Sequence, residues 1–166
     1  SFLSLFAIGS VILGRKKGIL ANNRRQRYHL QKMRRENILK CMWQLGEADG
    51  DMYAKRSVTE LQARRFIPEH SLHAGLKQLI RKGWIEKQDQ QYTLTSRGQT
   101  EGARIVRIHR LWELYLTTYL NLPADHVHED AEAIEHIITP EIEKELQLKL
   151  AFADEDPHAS KIPYRE

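Results

Sequence analysis

Six side chains of the 166-residue chain have types and spacings that suit a divalent cation: His109, Glu113, His128, Glu132, Glu135 and His136. On a helix predicted over residues 125–138, successive residues turn by about 100°, so His128, Glu132, Glu135 and His136 share one arc about 100° wide. That arc lies beside an apolar stripe of Val127, Ala131, Ile134 and Ile138. His109 and Glu113, four residues apart, make a second pair on the preceding helix. Imidazole nitrogens with carboxylate oxygens match borderline-to-hard ions such as Mn2+, Fe2+ or Zn2+, and the lack of thiolate in the set argues against Cu(I). A solvated acidic face is the plain alternative for any one His–Glu pair, and spacing alone leaves both open.

The elements that must position these residues follow from periodicity and punctuation. No Pro or Gly interrupts Gln26 to Leu45, and Ile38, Leu39, Met42, Trp43 and Leu45 recur at helical spacing, which predicts one helix ended at Gly46. Ser57, with Glu60 three residues on, predicts a capping box and a short helix to about Arg65. Phe66-Ile67-Pro68 reads as a turn, and a second helix carries Leu72, Leu76, Leu79 and Ile80 to Gly83. Trp84 to Lys87 and Tyr92 to Thr95, around the polar Gln88 to Gln91, predict a β-hairpin, a wing directly after a helix-turn-helix. Ser96 is expected to cap a helix to about Tyr119, and Thr139-Pro140 to open a last one with Glu141 and Glu143 in its first turn. The tail from Asp154 to Glu166 reads as loose.

The N-terminal segment is of another kind. Ser1 to Leu13 is uncharged and apolar, but shorter than the roughly 20 residues that span a bilayer. Arg15, Lys16, Lys17, Arg24, Arg25 and Arg27 follow it, the charge order of a cytoplasmic flank rather than of a signal peptide. The expectation is the end of a transmembrane helix from a longer chain. A buried amphipathic helix is the other reading that periodicity allows. The single Cys41 gives no intrachain disulfide and points to a reducing cytosol. A formal charge of +4 suits a polyanionic partner, and the charge is uneven: Gly14 to Lys40 is densely basic with Glu36 as its only acid, whereas the chain after Asn121 is acidic.

Residues from about Arg34 to Pro163 resemble the iron-dependent repressor family, which includes the diphtheria toxin repressor and the manganese transport regulator. The resemblance is carried by Arg107-Ile-His-Arg-Leu-Trp-Glu113, Val127-His-Glu-Asp-Ala-Glu-Ala-Ile-Glu-His136, Asp156-Pro-His158 and Ile162-Pro163. It implies a mainly α fold: a winged helix-turn-helix domain over 34–95, then a helical metal-binding and dimerisation domain over 96–166. It also implies a homodimer that binds operator DNA when loaded with Fe2+ or Mn2+. By matching position, His109, Glu113 and His128 resemble the ligands of one metal site, and Glu132, Glu135 and His136 those of another. Glu132 stands where manganese-type members carry Glu and iron-type members Cys. The family also takes ligands from its first helix, where this chain has Asn37 and Lys40. Asn37 offers a carbonyl oxygen and is a further candidate ligand, whereas an ammonium cannot ligate. Residues 1–20, ending in Gly14-Arg-Lys-Lys-Gly-Ile-Leu20, are similar to the end of the membrane domain in manganese, zinc and iron ABC transporter permeases, which leaves 21–33 as a basic linker.

In a winged helix the second helix of the pair enters the major groove, which makes His70, Ser71 and His73 candidates for base contacts. Lys77, Lys87, Gln90 and Arg97 are candidates for phosphates. Two functions compete. One is a metal-dependent transcriptional repressor of metal uptake, encoded as the C-terminal part of the permease and working in the cytoplasm after proteolytic release. The other is a metal-sensing domain tethered at the cytoplasmic face of the inner membrane, which regulates the permease and its ABC ATPase without touching DNA. An enzyme is not expected: the sequence holds no P-loop, G-x-G-x-x-G, H-E-x-x-H or nucleophile elbow.

Overall fold

The computed structural model describes residues 2–65 and 67–164, and the side chains of 2–21, Glu129 and Ala133 lie outside what is described. The described chain forms two units, Ser1–Met33 and Arg34–Glu166. Its elements are α1 (Phe2–Asp49), α2 (Val58–Arg64), α3 (Glu69–Arg81), β1 (Ile85–Gln88), β2 (Gln91–Leu94), α4 (Ser96–Leu120), α5 (Val127–Ile134) and α6 (Pro140–Lys149). The first unit is helical, and Arg24, Arg25 and Arg27 on it are exposed. The apolar run 1–13, expected to be the end of a transmembrane helix, lies outside the described side chains. Among the described residues no helix is long and apolar enough to cross a membrane.

The second unit begins with the α1 residues that the sequence marks as apolar. Ile38, Leu39, Cys41, Met42 and Trp43 are buried with Leu61 of α2, Leu72, Leu76 and Leu79 of α3, Ile85, Tyr92 and Leu94 of the hairpin, and Ile105 and Val106 of α4. Helix α1 does not stop at Gly46. It continues to Asp49, and Gly50 (φ 73°) supplies the left-handed residue that ends it. Gly46 serves close approach instead, because a Cβ there would lie 2.9 Å from Met52 Cα on the returning chain.

The capping box of α2 forms as predicted, with Ser57 Oγ accepting from Glu60 N and Glu60 Oε2 from Ser57 N. The hairpin turn is tighter than four residues: Gln88 pairs with Gln91, and Asp89 (φ 47°) and Gln90 (φ 65°) alone make the turn, the geometry that a twisted two-residue hairpin needs. Thr95, not Ser96, caps α4. Its Oγ1 accepts from Gly98 N and donates to Gly83 O, which ties the start of α4 to the end of α3.

Helix α4 is the central element of this unit. Every residue from Ile105 to Leu111 is buried, so the helix is covered on all sides. Beyond the winged-helix core, its Ile108 and Leu111 pack with Ile138, Leu146, Leu150 and Ile162 in a second cluster. Helix α5 is shorter than the predicted 125–138, beginning at Val127 and ending at Ile134, with the last turn tightened by Ile137 N donating to Ile134 O ahead of Thr139-Pro140. The tail is also not loose. Arg107 and Arg110 are buried on α4 and need acceptors: Arg107 donates to Pro163 O at 2.8 Å, and Arg110 to Lys161 O. Asp156 Oδ1 accepts from the backbone of His158 and Ser160, and Ile162 is buried.

At Gly98 a Cβ would sit 1.8 Å from the Trp84 carbonyl oxygen, an approach that backbone must yield to. Gly98→Ala is therefore expected to destabilise the fold by about 1–3 kcal/mol, read as a lowered Tm in thermal unfolding. An unchanged Tm would mean that the α4 start does not lean on the hairpin.

Candidate metal centre

Helix α4 carries His109 and Glu113 one turn apart on the side that faces α5, and His128 enters from the first turn of α5. His109 Nε2 lies 3.1 Å from Glu113 Oε1, His128 Nδ1 lies 2.9 Å from the same oxygen, and the two nitrogens are 3.1 Å apart. Two donors about 2.1 Å from one ion and at right angles to each other are about 3.0 Å apart, so the three atoms form one triangular face of a coordination shell. Two imidazoles and one carboxylate on such a face suit Fe2+ and comparable divalent ions. The residues present fit a metal here. His109 and Glu113 are buried, whereas the His128 side chain is 56% exposed, which leaves solvent access on one side.

Second contacts orient this triad. Glu135 Oε2 lies 2.5 Å from His109 Nδ1. That approach needs the proton on Nδ1, since an unprotonated ring nitrogen and a carboxylate would repel. With Nδ1–H donated to Glu135, Nε2 is the nitrogen turned to Glu113 and His128, and it would offer a lone pair to an ion once its own proton is lost, the arrangement in which an outer carboxylate orients a metal-binding histidine. Burial pushes the His109 imidazole down, and the Glu113 and Glu135 carboxylates more than offset this, holding it above its ordinary value. Burial disfavours the Glu113 carboxylate in turn, but the His109 and His128 imidazoles outweigh it and hold the group at about 2.

The other three candidates do not form a second open face. The helical spacing holds through Glu135, the C-cap of α5, and the chain tightens beyond it; His128 Nε2 lies 3.6 Å from Glu132 Oε1. The Glu135 side chain is fully buried and bound by the Lys40 ammonium from α1, whose Nζ lies 2.8 Å from each of its oxygens. The same Nζ is 3.4 Å from Glu132 Oε1, and Arg65 Nη2 is 2.8 Å from Glu132 Oε2. Burial raises the Glu132 and Glu135 carboxyls, but Lys40 with Arg65 beside the first, and His109 with Lys40 beside the second, hold both below the ordinary carboxylate value. His136 bridges Glu36 of α1, with Nδ1 2.8 Å from its Oε2, and Glu135, with Nε2 3.5 Å from its Oε1. Asn37 Oδ1 is buried and accepts no hydrogen bond from the described residues.

Sequence reasoning passed over three participants. Glu36 lay one position from the family's first-helix ligand site and stood out only as a lone acid in a basic run. Lys40 was excluded as a ligand without a role being assigned to it. His158 lines the cavity of about 260 Å3 that the triad faces, together with Gln44, Glu47 and Asp156. The signal for it was the Asp156-Pro-His158 motif.

The DNA-binding candidates, Ser71 apart, are exposed on α3, on the hairpin and at the start of α4. His70, His73 and Lys77 follow the exposed stripe of α3, opposite the buried Leu72, Leu76 and Leu79, and Ser71 is half-buried beside them. Lys87 and Gln90 are exposed on the hairpin and Arg97 at the start of α4. His73 Nε2 lies 3.6 Å from Glu69 Oε1 on the same helix.

Residues 95–164 match the family described as iron dependent repressor, metal binding and dimerisation domain. The whole chain is similar to a protein of Chlamydia trachomatis named "Probable metal transport system membrane protein", 30% identical over 170 residues, which cover 99% of this chain and 37% of that protein. It is also 32% identical over 75 residues to the diphtheria toxin repressor of Corynebacterium diphtheriae, covering 45% of this chain and 33% of the repressor. A solved structure of a manganese-dependent transcriptional repressor in complex with manganese superposes with a TM-score of 0.69 at 28% identity, over 78% of this chain and 58% of that one. The chain thus spans little more than a third of the curated relatives it matches. Its fold, a helix-turn-helix with a small two-stranded sheet followed by a helical domain, is that of the metal-dependent repressors.

Glu113 at about 2, against an ordinary 4.5, contributes stability that is present above pH 4.5, while the imidazoles beside it carry charge, and is lost as pH falls towards 2. In metal-free protein, Glu113→Gln is expected to lower the urea midpoint clearly at pH 6 and much less at pH 3. Equal loss at both pH values would assign Glu113 a packing role instead of an electrostatic one.

Proposed function

We propose that this chain, whose residues 95–164 belong to the iron-dependent repressor metal-binding and dimerisation domains, is a metal-dependent transcriptional repressor that controls uptake of the metal it binds. The observation that carries the reading is the His109, Glu113 and His128 triangle, three donors at ligand separation inside that domain. Those residues would hold Fe2+ or Mn2+, and the ion, when bound, supplies a charge that draws α4 and α5 together at one point. Glu135 orients His109 for it. Because His109 must give up a proton at Nε2 to ligate, binding weakens as pH falls.

Operator DNA is the proposed partner, met by α3 with His70, Ser71 and His73 at base edges and by Lys77, Lys87, Gln90 and Arg97 at phosphates. A homodimer is proposed from the groove lined by Trp112, Tyr115, Ile142 and Leu146, with the exposed Ile142 and Leu148 of α6 nearby in sequence. Division at 95/96 into a winged-helix domain and a metal-binding domain, with 1–20 as the end of a permease helix and 21–33 as a basic linker, belongs to the same proposal. So does a proteolytic cut between Arg15 and Arg35 that frees the repressor.

The second reading, a sensor domain that stays tethered to its permease and ABC ATPase at the inner membrane, is favoured by the membrane-protein name of the Chlamydia relative. An antibody to the C-terminal tail, applied to soluble and membrane fractions, separates the two. A soluble fragment is expected from the repressor, and signal confined to a membrane band of full permease size from the tethered sensor.

With Fe2+ or Mn2+ present, the chain is expected to retard the upstream region of its own operon in a gel shift, and not random DNA at the same salt. His73→Ala should relax sequence preference, while Lys77→Ala should weaken all sequences alike and lower the salt dependence by about one phosphate contact. Equal retardation of operon and random DNA contradicts the repressor reading.

A further inference from the structure

Lys40 is a long charged side chain with 1% of its surface exposed, on a helix whose neighbouring Ile38, Leu39 and Met42 lie in the winged-helix core. Such burial demands compensation, and the compensation is specific. Three carboxylate oxygens surround Nζ: both of Glu135 at 2.8 Å and one of Glu132 at 3.4 Å. The fourth side is taken by His109, whose Nδ1–H goes to Glu135 and lies 3.4 Å from Nζ without accepting from it. These are the oxygens that the sequence offers to a second divalent ion, and the ammonium already lies among them.

Charge counting points the same way. Glu132 and Glu135 bring two negative charges, and Lys40 and Arg65 bring two positive ones within 4 Å of them. A divalent ion added there would be uncompensated and would meet the ammonium directly. The third member of the set, His136, has its Nδ1 against Glu36 and its Nε2 3.5 Å from Glu135 Oε1, an oxygen that the ammonium already holds. By contrast, the described residues place no lysine or arginine in an ion pair with the Glu113 carboxylate, and the groups against it are the two imidazoles that would share an ion with it.

Resting on the metal reading above, we propose that Lys40 is a built-in cation that takes the place of a metal between α1 and the Glu132–Glu135 carboxylates, so that the chain binds a single divalent ion, at His109, Glu113 and His128. The contact between the helix that enters the winged-helix core and the C-terminal end of α5 is then permanent. It is made by a side chain and does not wait for an ion. Metal occupancy acts on the molecule only through the triad, by way of His109 and its bond to Glu135 and of His128, 3.6 Å from Glu132, so the latch and the triad meet at both carboxylates.

The test is the number of ions bound by the full chain, measured by equilibrium dialysis against Mn2+ with elemental analysis of the protein. Wild type is expected to hold one Mn2+ per chain, lost in His128→Ala. Lys40→Glu, which puts a carboxylate where the ammonium lies, is expected to gain a second. Lys40→Met, which carries no added charge, keeps the test open should the glutamate variant not fold. It is expected to lose thermal stability without metal and to recover more of it with Mn2+ than wild type gains. Two ions per wild-type chain, with one lost in Glu132→Gln, would overturn the lysine latch and leave the metal reading standing. No ion bound to wild type would overturn both.

Discussion

A carboxylate withdrawn from water has to be matched by positive charge or by hydrogen bonds, and Glu135 is withdrawn completely. It is matched on two sides by groups from two different helices, the Lys40 ammonium of α1 and the His109 imidazole of α4. This one group therefore joins three parts of the chain: the helix that packs the winged-helix core, the central helix and the end of α5. The pairing also decides the chemistry on the far side of the imidazole. With Nδ1–H committed to Glu135, Nε2 is the nitrogen left to face Glu113 and His128.

The central position of α4 follows from similar demands. Buried on all its faces between Ile105 and Leu111, it has two arginines inside the protein, and each gathers acceptors from distant segments. Arg110 binds Glu47 near the end of α1 and is 3.5 Å from Asp156 of the tail, while Arg107 binds Glu143 of α6. The tail is thus ordered by charge compensation as much as by the burial of Ile162. It also brings His158 to the cavity in front of the triad. Packing and electrostatics here together frame the three candidate donor atoms of His109, Glu113 and His128.

Much of this frame was legible in the residues. The capping box at Ser57, Pro140 at the start of α6 and the alternation at Tyr92 and Leu94 are local signals with local causes, and they hold. The errors have physical reasons as well. Gly46 and Gly50 are equally good helix stops on paper, and only the return of Met52 against Gly46 shows which one the chain uses to end the helix. The arc that joined His128 to His136 assumed a helix through Ile138, but the chain tightens after Ile134 and sends His136 to Glu36. Of the candidate ligands, His109, Glu113 and His128 lie within mutual reach, and Glu135 and Glu132 touch that group through His109 and His128. What no periodicity discloses is a pairing across 95 residues, and the Lys40–Glu135 contact is of that kind.

The account as a whole rests on which of two neighbouring carboxylate clusters attracts a metal, the one with an ammonium already in it or the one without. Crystals of the full chain grown with Mn2+, with diffraction recorded at the manganese absorption edge, locate the ion directly. A single anomalous peak within bonding distance of His109 Nε2, Glu113 and His128 Nδ1, with Lys40 still against Glu135, is the predicted result. A peak between Glu132 and Glu135, with the Lys40 side chain displaced, would contradict it.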